Sequence, residues 1–86
     1  MIHKISAPVS LVLVYDHTAR KLIPKKLKWE GKTHDITNID MHHVYRDGRT
    51  LKHVFSVASS TMFFRIVMDT GNLQWMLEEI SDGLTD

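Results

Sequence analysis

Apolar and polar positions along this chain recur mostly with a period of two, the signature of strands. Val9–Tyr15 is β-branched and apolar at nearly every position, which predicts a strand greasy on both faces, either central or covered by another element. Asp16-His17-Thr18 supplies a turn. Pro24 cannot donate to a sheet ladder, so pairing in the next segment is expected over Lys25–Glu30. There Leu27 and Trp29 point one way, and Lys26, Lys28 and Glu30 the other. Glu30-Gly31-Lys32 turns into Thr33–Ile39, where Ile36 and Ile39 are out of phase; a bulge near Thr37-Asn38 would put both inside.

Asn38–Asp47 is less regular, but Asp47-Gly48 is a strong turn signal and predicts a hairpin between His43-Val44-Tyr45 and Leu51–Ala58. Leu51, His53, Phe55 and Val57 share one face of the second strand. After Ser59-Ser60-Thr61, Met62, Phe64, Ile66 and Met68 alternate with Phe63, Arg65, Val67 and Asp69. Asp69-Thr70-Gly71-Asn72 is the next turn. The last element has two readings. A strand aligns Leu73, Trp75 and Leu77; a helix capped by Asn72 aligns Leu73, Met76, Leu77 and Ile80. A helix would place Glu78 and Glu79 near its negative end and leave Trp75 off its apolar face, so the strand is expected. The pattern predicts an all-β fold: a small antiparallel six-stranded barrel or curled meander, SH3-like in size. It forms a single domain over residues 1–86, with ragged ends at 1–7 and 81–86.

Composition narrows the setting. Without Cys there are no disulfides, no thiolate chemistry and no Cys-based zinc site, and an unstapled domain of 86 residues fits a cytoplasmic, reducing compartment. The longest apolar stretch is far shorter than the roughly 20 residues of a membrane span. A secretory signal is not expected, since Pro8 interrupts and Asp16 ends the apolar run after Lys4, with no small-residue cleavage site at Thr18–Arg20. The net charge of +1 hides an asymmetry: residues 1–34 carry seven basic and two acidic side chains, residues 35–86 four basic and eight acidic.

The chemistry-bearing residues form no signature of catalysis. His42 and His43 are adjacent and in a strand would face opposite ways. A site from His34, His42 and His53 is geometrically conceivable, but no local element carries a metal-ligand spacing, so neither a metal nor another cofactor is expected. Ser56 or Ser59 lacks a nucleophile-elbow context, and the four glycines are isolated turn residues that form no phosphate loop. The chain is therefore not expected to be an enzyme.

Two surface features remain. Arg20, Lys21, Lys25, Lys26, Lys28 and Lys32 form a basic stripe that would attract nucleic-acid phosphates, or would simply guard an exposed edge strand. The inner face takes Leu11, Leu13, Leu27, Trp29, Phe55, Val57, Phe64, Ile66, Trp75 and Leu77, which already fill a small barrel. Val12, Val14, Val54, Phe63, Val67 and Met76 are left on the opposite phase. Clustered outside, they would make a patch for self-association or partner docking, unless the chain ends cover it.

Trp29-Glu30-Gly31-Lys32, His34, Ile36 and Ile39, then Tyr45-Arg46-Asp47-Gly48, and finally Trp75, Leu77, Ile80 and Asp82-Gly83 make up a recurrent strand-turn-strand pattern. It resembles a family of small bacterial β-barrel domains of unknown function, found alone or appended to proteins similar to Y-family DNA polymerases. The resemblance covers residues 24–83 and departs at His34, where that family usually has an aromatic. It implies a small barrel in a bacterial cytoplasm and leans toward nucleic-acid-associated work; it carries no catalytic residues. The expected function is thus a non-enzymatic interaction module that binds itself or another protein. The alternative is a DNA- or RNA-binding accessory module that uses the basic stripe.

Overall fold

The computed structural model describes residues 2–82 and is all-β, with no helix among the described residues. Eight strands follow in chain order: β1 (Ile2–Pro8), β2 (Ser10–Asp16), β3 (Lys21–Trp29), β4 (Lys32–Asp35), β5 (Asn38–Asp47), β6 (Thr50–Ala58), β7 (Phe63–Asp69) and β8 (Trp75–Ser81). They form two antiparallel sheets, β1-β8-β7-β6-β5 and β2-β3-β4. The expected barrel is therefore an open, curled meander, and the six expected strands are eight.

At two places the chain changes sheet without a turn. β1 runs into β2 through Val9, whose N–H donates to the Trp75 carbonyl of β8 at 3.2 Å. β4 runs into β5 through Ile36 and Thr37: Ile36 N–H bonds Lys25 of β3, whereas Thr37 N–H bonds Ala58 of β6. One residue thus belongs to each sheet, and this switch, rather than a bulge at that point, lets both Ile36 and Ile39 reach the core. A bulge does occur just beyond, where the register slips between Ile39 and Met41 and leaves Asp40 as the extra residue. Residues 2–7, expected to be a ragged end, lie in β1 against β8. At the other end Ser81 still belongs to β8; the end expected at 81–86 otherwise lies largely outside the described residues.

Three further expectations are refined. The last element is a strand, but it starts at Trp75; exposed Leu73 sits in the preceding turn with φ +62°, and its N–H bonds the Asp69 carbonyl. Pairing in β3 begins at Lys21, before Pro24. Pro24 is tolerated because β4 runs only alongside Lys26–Trp29, so its missing N–H costs no ladder bond on that side. The Asp47-Gly48 signal does make a tight hairpin, with Gly48 at φ +62° in a two-residue loop between β5 and β6.

The core lies between the sheets. Leu27 of β3 is fully buried against Phe55, Val57, Phe64, Ile66 and Leu77 of the larger sheet, with Leu11, Leu22, Trp29 and Trp75 around them. These are the inward phases of their strands, so each sheet presents its other phase outward. Among the described residues no helix is long and apolar enough to cross a membrane.

Candidate docking surface

The outward phase of the three-stranded sheet follows from its register. Ser10, Lys28 and Thr33 lie side by side, as do Val12, Lys26 and Asp35. The next rows are Val14 with Ile23, then Asp16 with Lys21. Lys25 is the extra residue of a bulge opposite Val12–Leu13. Val12 and Val14 are 55% and 43% exposed, and Lys21, Lys26 and Lys28 on the same face are exposed as well. Of the expected basic stripe, Lys21, Lys26 and Lys28 therefore share one surface with two of the expected apolar patch residues. Lys26 pairs with Asp35 at 3.4 Å across an exposed edge, a contact that contributes little to stability. Arg20 sits in the hairpin tip with φ +56°, and Lys32 falls on the Trp29 phase, beside a groove with His34 and Met62. The stripe is thus shorter than the sequence suggests.

The expected apolar patch is divided between the two sides of the molecule. Val54, Val67 and Met76 are direct cross-strand neighbours on the outward phase of the larger sheet, in β6, β7 and β8. Val54 is 0% exposed and Val67 nearly so, which removes both as docking residues. They are buried without a second layer because they are short side chains in central strands. The longer Tyr45, Lys52, Arg65 and Met76 stand around them on the same face. Phe63, 45% exposed, is at the far end of that face, in a row with Ile2 and Ser81. It lines a shallow groove with Asp40, Ser56, Arg65 and Glu79. There Arg65 Nε lies 3.2 Å from Glu78 Oε1, close enough for an ion pair, although its N–H is not aimed at the oxygen.

The histidines separate into two environments. His34 is buried in β4, its ring tilted 5.0 Å from that of Phe64. His42 and His53 meet on the inward phase of the β5–β6 hairpin: His42 Nε2 and His53 Nδ1 share a hydrogen bond of 2.8 Å. The His42 ring stacks on Phe55 at 4.0 Å and 11°. The sequence could suggest this pair only as two members of a trio; the cross-strand register supplies the meeting, and His34 is elsewhere. Among the described residues no cluster of three or more His, Asp or Glu is arranged to hold a metal ion.

Burial pushes the His34 imidazole below its ordinary value, and the Lys32 ammonium adds to the shift. His42 is lowered as well, first by desolvation of its stacked ring, then by His53, Lys21 and His43. Such groups do not affect stability while both folded and unfolded forms are neutral. Below about pH 6.5 the unfolded chain takes up the protons first, so stability falls until the pH has passed the lower folded-state values. Urea midpoints should therefore be level above neutrality and decline as the pH falls below about 7. His34→Phe, which keeps a ring beside Phe64, should flatten part of that decline. An identical decline in both His34→Phe and His42→Gln would contradict this assignment.

Compared with family models, curated proteins and solved structures, the chain finds no match.

Proposed function

We propose that this chain is a cytoplasmic, non-enzymatic docking module, that its working surface is the outward face of the three-stranded sheet, and that its partner is an acidic protein surface. The observation that supports this most is the exposure of Val12 and Val14 among the exposed Lys21, Lys26 and Lys28 on one face. Apolar groups at the middle of such a patch supply area to desolvate, while the lysines around them steer an oppositely charged partner. The charge distribution agrees. Residues 10–35 carry six basic and three acidic side chains, a net of +3; the remainder carries five basic and seven acidic, a net of −2.

The second reading, nucleic-acid binding, uses the same lysines. It is less favoured because the paired residues of this face include no aromatic ring on which a base could stack. Fluorescence anisotropy separates the two. A labelled peptide of alternating Glu and Leu should bind at low salt. Lys26→Glu/Lys28→Glu should weaken it roughly tenfold or more, and Val12→Ser/Val14→Ser several-fold. Tighter binding of a single- or double-stranded oligonucleotide, insensitive to the valine substitutions, would replace the proposal with the second reading. Binding of neither probe would refute both.

A further inference from the structure

We infer that the free edge of β5 pairs with β5 of a second copy, antiparallel about a two-fold axis at His43, so that two five-stranded sheets become one of ten strands. This goes beyond the docking reading and uses a different surface. β5 is the longest strand, it ends the larger sheet, and every residue in it except Ile39 is exposed. An edge of that length with open N–H and C=O groups is a template for another strand unless something blocks it. The other edges differ. β4 has only four residues, and β1 has a bulge between Lys4 and Ala7 at its middle and ends in Pro8, whereas the bulge of β5 at Asp40 lies near its start and leaves Met41–Asp47 regular. Self-pairing of β2 would set side by side two three-stranded sheets whose residues 10–35 each carry the net charge of +3 counted above.

The hairpin determines which groups of β5 are free. In the two-residue loop Gly48-Arg49, Asp47 and Thr50 flank the turn as a hydrogen-bonded pair. Pairs alternate along an antiparallel ladder, so Tyr45 with Lys52 and His43 with Val54 are hydrogen-bonded too. The N–H and C=O of His42, Val44 and Arg46 therefore point away from β6, toward the open edge.

Three self-pairing registers use those groups near the strand centre. A two-fold at Val44 sets His42 against Arg46 of the second copy. A two-fold at His42 sets two His42 rings together and Val44 against Asp40. A two-fold at His43 sets His42 against Val44, Met41 against Tyr45 and Asp40 against Arg46. Of the three, this last register alone sets unlike charges opposite one another, Asp40 at the bulge against Arg46, and it alone faces the exposed Met41 with the exposed Tyr45.

The register also yields a direct test. His43 and its symmetry mate would be a non-hydrogen-bonded pair, with Cα atoms about 4.5 Å apart, within disulfide range. The chain has no Cys, so a single introduced thiol reports only on this contact. Light-scattering mass should rise with concentration from 10.0 kDa toward twice that value, and Val12→Ser/Val14→Ser should leave the rise unchanged. With diamide as oxidant, His43→Cys should cross-link to a covalent dimer, at least several-fold faster than His42→Cys or Val44→Cys. Val44→Pro removes an outward N–H that the β5–β6 ladder does not use, so it should stay folded by circular dichroism and remain monomeric. A wild-type protein monomeric at every concentration, a dimer that survives Val44→Pro, or preferential cross-linking at 42 or 44 would overturn the inference. A dimer lost in Val12→Ser/Val14→Ser would instead place association on the lysine face, and would also overturn it.

Discussion

Phe55→Ala is expected to remove about 3–5 kcal/mol of this domain's stability, the largest loss of any single truncation in the core. Phe55 is fully buried at the centre of the core, its ring stacked on His42 at 4.0 Å and tilted against Trp75 at 5.5 Å. Truncating a buried Phe to Ala costs about 3–5 kcal/mol. At about 0.05–0.15 kcal/mol per residue, a chain of this length holds roughly 4–13 kcal/mol in total, and small domains sit toward the lower end. The substitution therefore removes most of the stability if the total is near the bottom of that range. Phe55→Leu, which keeps most of the volume, should remain folded with a reduced urea midpoint. Equilibrium urea denaturation followed by tryptophan fluorescence and circular dichroism reads both. A Phe55→Ala midpoint close to wild type would mean that the two sheets are not held together at this residue.

The second large effect separates residues that the hydrophobic pattern treats alike. Val54→Asp should lower stability by about 3 kcal/mol or more, because it puts a carboxylate at a fully buried position, a desolvation cost that Lys52 and Arg65 on the same face offset only in part. Val12→Asp, at a position 55% exposed, should change it by no more than about 0.5 kcal/mol. Thermal melts of the two variants at neutral pH make the comparison. Similar losses in both would mean that Val12 is covered as well, which would remove the apolar part of the proposed docking surface. No loss in either would contradict the burial of Val54.

Much of the local architecture is legible in the chain. The Asp47-Gly48 turn produces the β5–β6 hairpin, and the Asp16 turn is built as its residues suggest, with Asp16 Oδ1 accepting the N–H groups of Thr18 and Ala19. Ser59 Oγ closes the β6–β7 connection by accepting from Thr61 and Met62. The inward set Leu27, Phe55, Val57, Phe64, Ile66 and Leu77 follows from alternation alone. The strand count does not. At Val9 and at Ile36–Thr37 the chain leaves one sheet for the other while staying extended, and an extended residue carries no local mark of which sheet it serves. β1 is missed for a related reason: it is held by β8, near the other end of the described residues.

The candidate surface divides in the same way. A period of two determines that Val12, Val14, Val54, Phe63, Val67 and Met76 oppose the core phase, and it determines that Lys26 and Lys28 lie opposite Leu27 and Trp29. It cannot determine which of them are neighbours, because lateral adjacency is set by register and by the sheet to which each strand belongs. Tertiary structure places Val12 and Val14 with the lysines and Val54 and Val67 on the other side, and it submerges the latter two beneath longer cross-strand neighbours. It also brings His42 to His53 and leaves the ten-residue edge of β5 open. By itself the sequence determined an all-β fold, its tight turns and the side to which each residue points, since these depend on a residue and its immediate neighbours. Pairing between distant strands decided which outward side chains form a surface, because only that pairing sets what stands beside them.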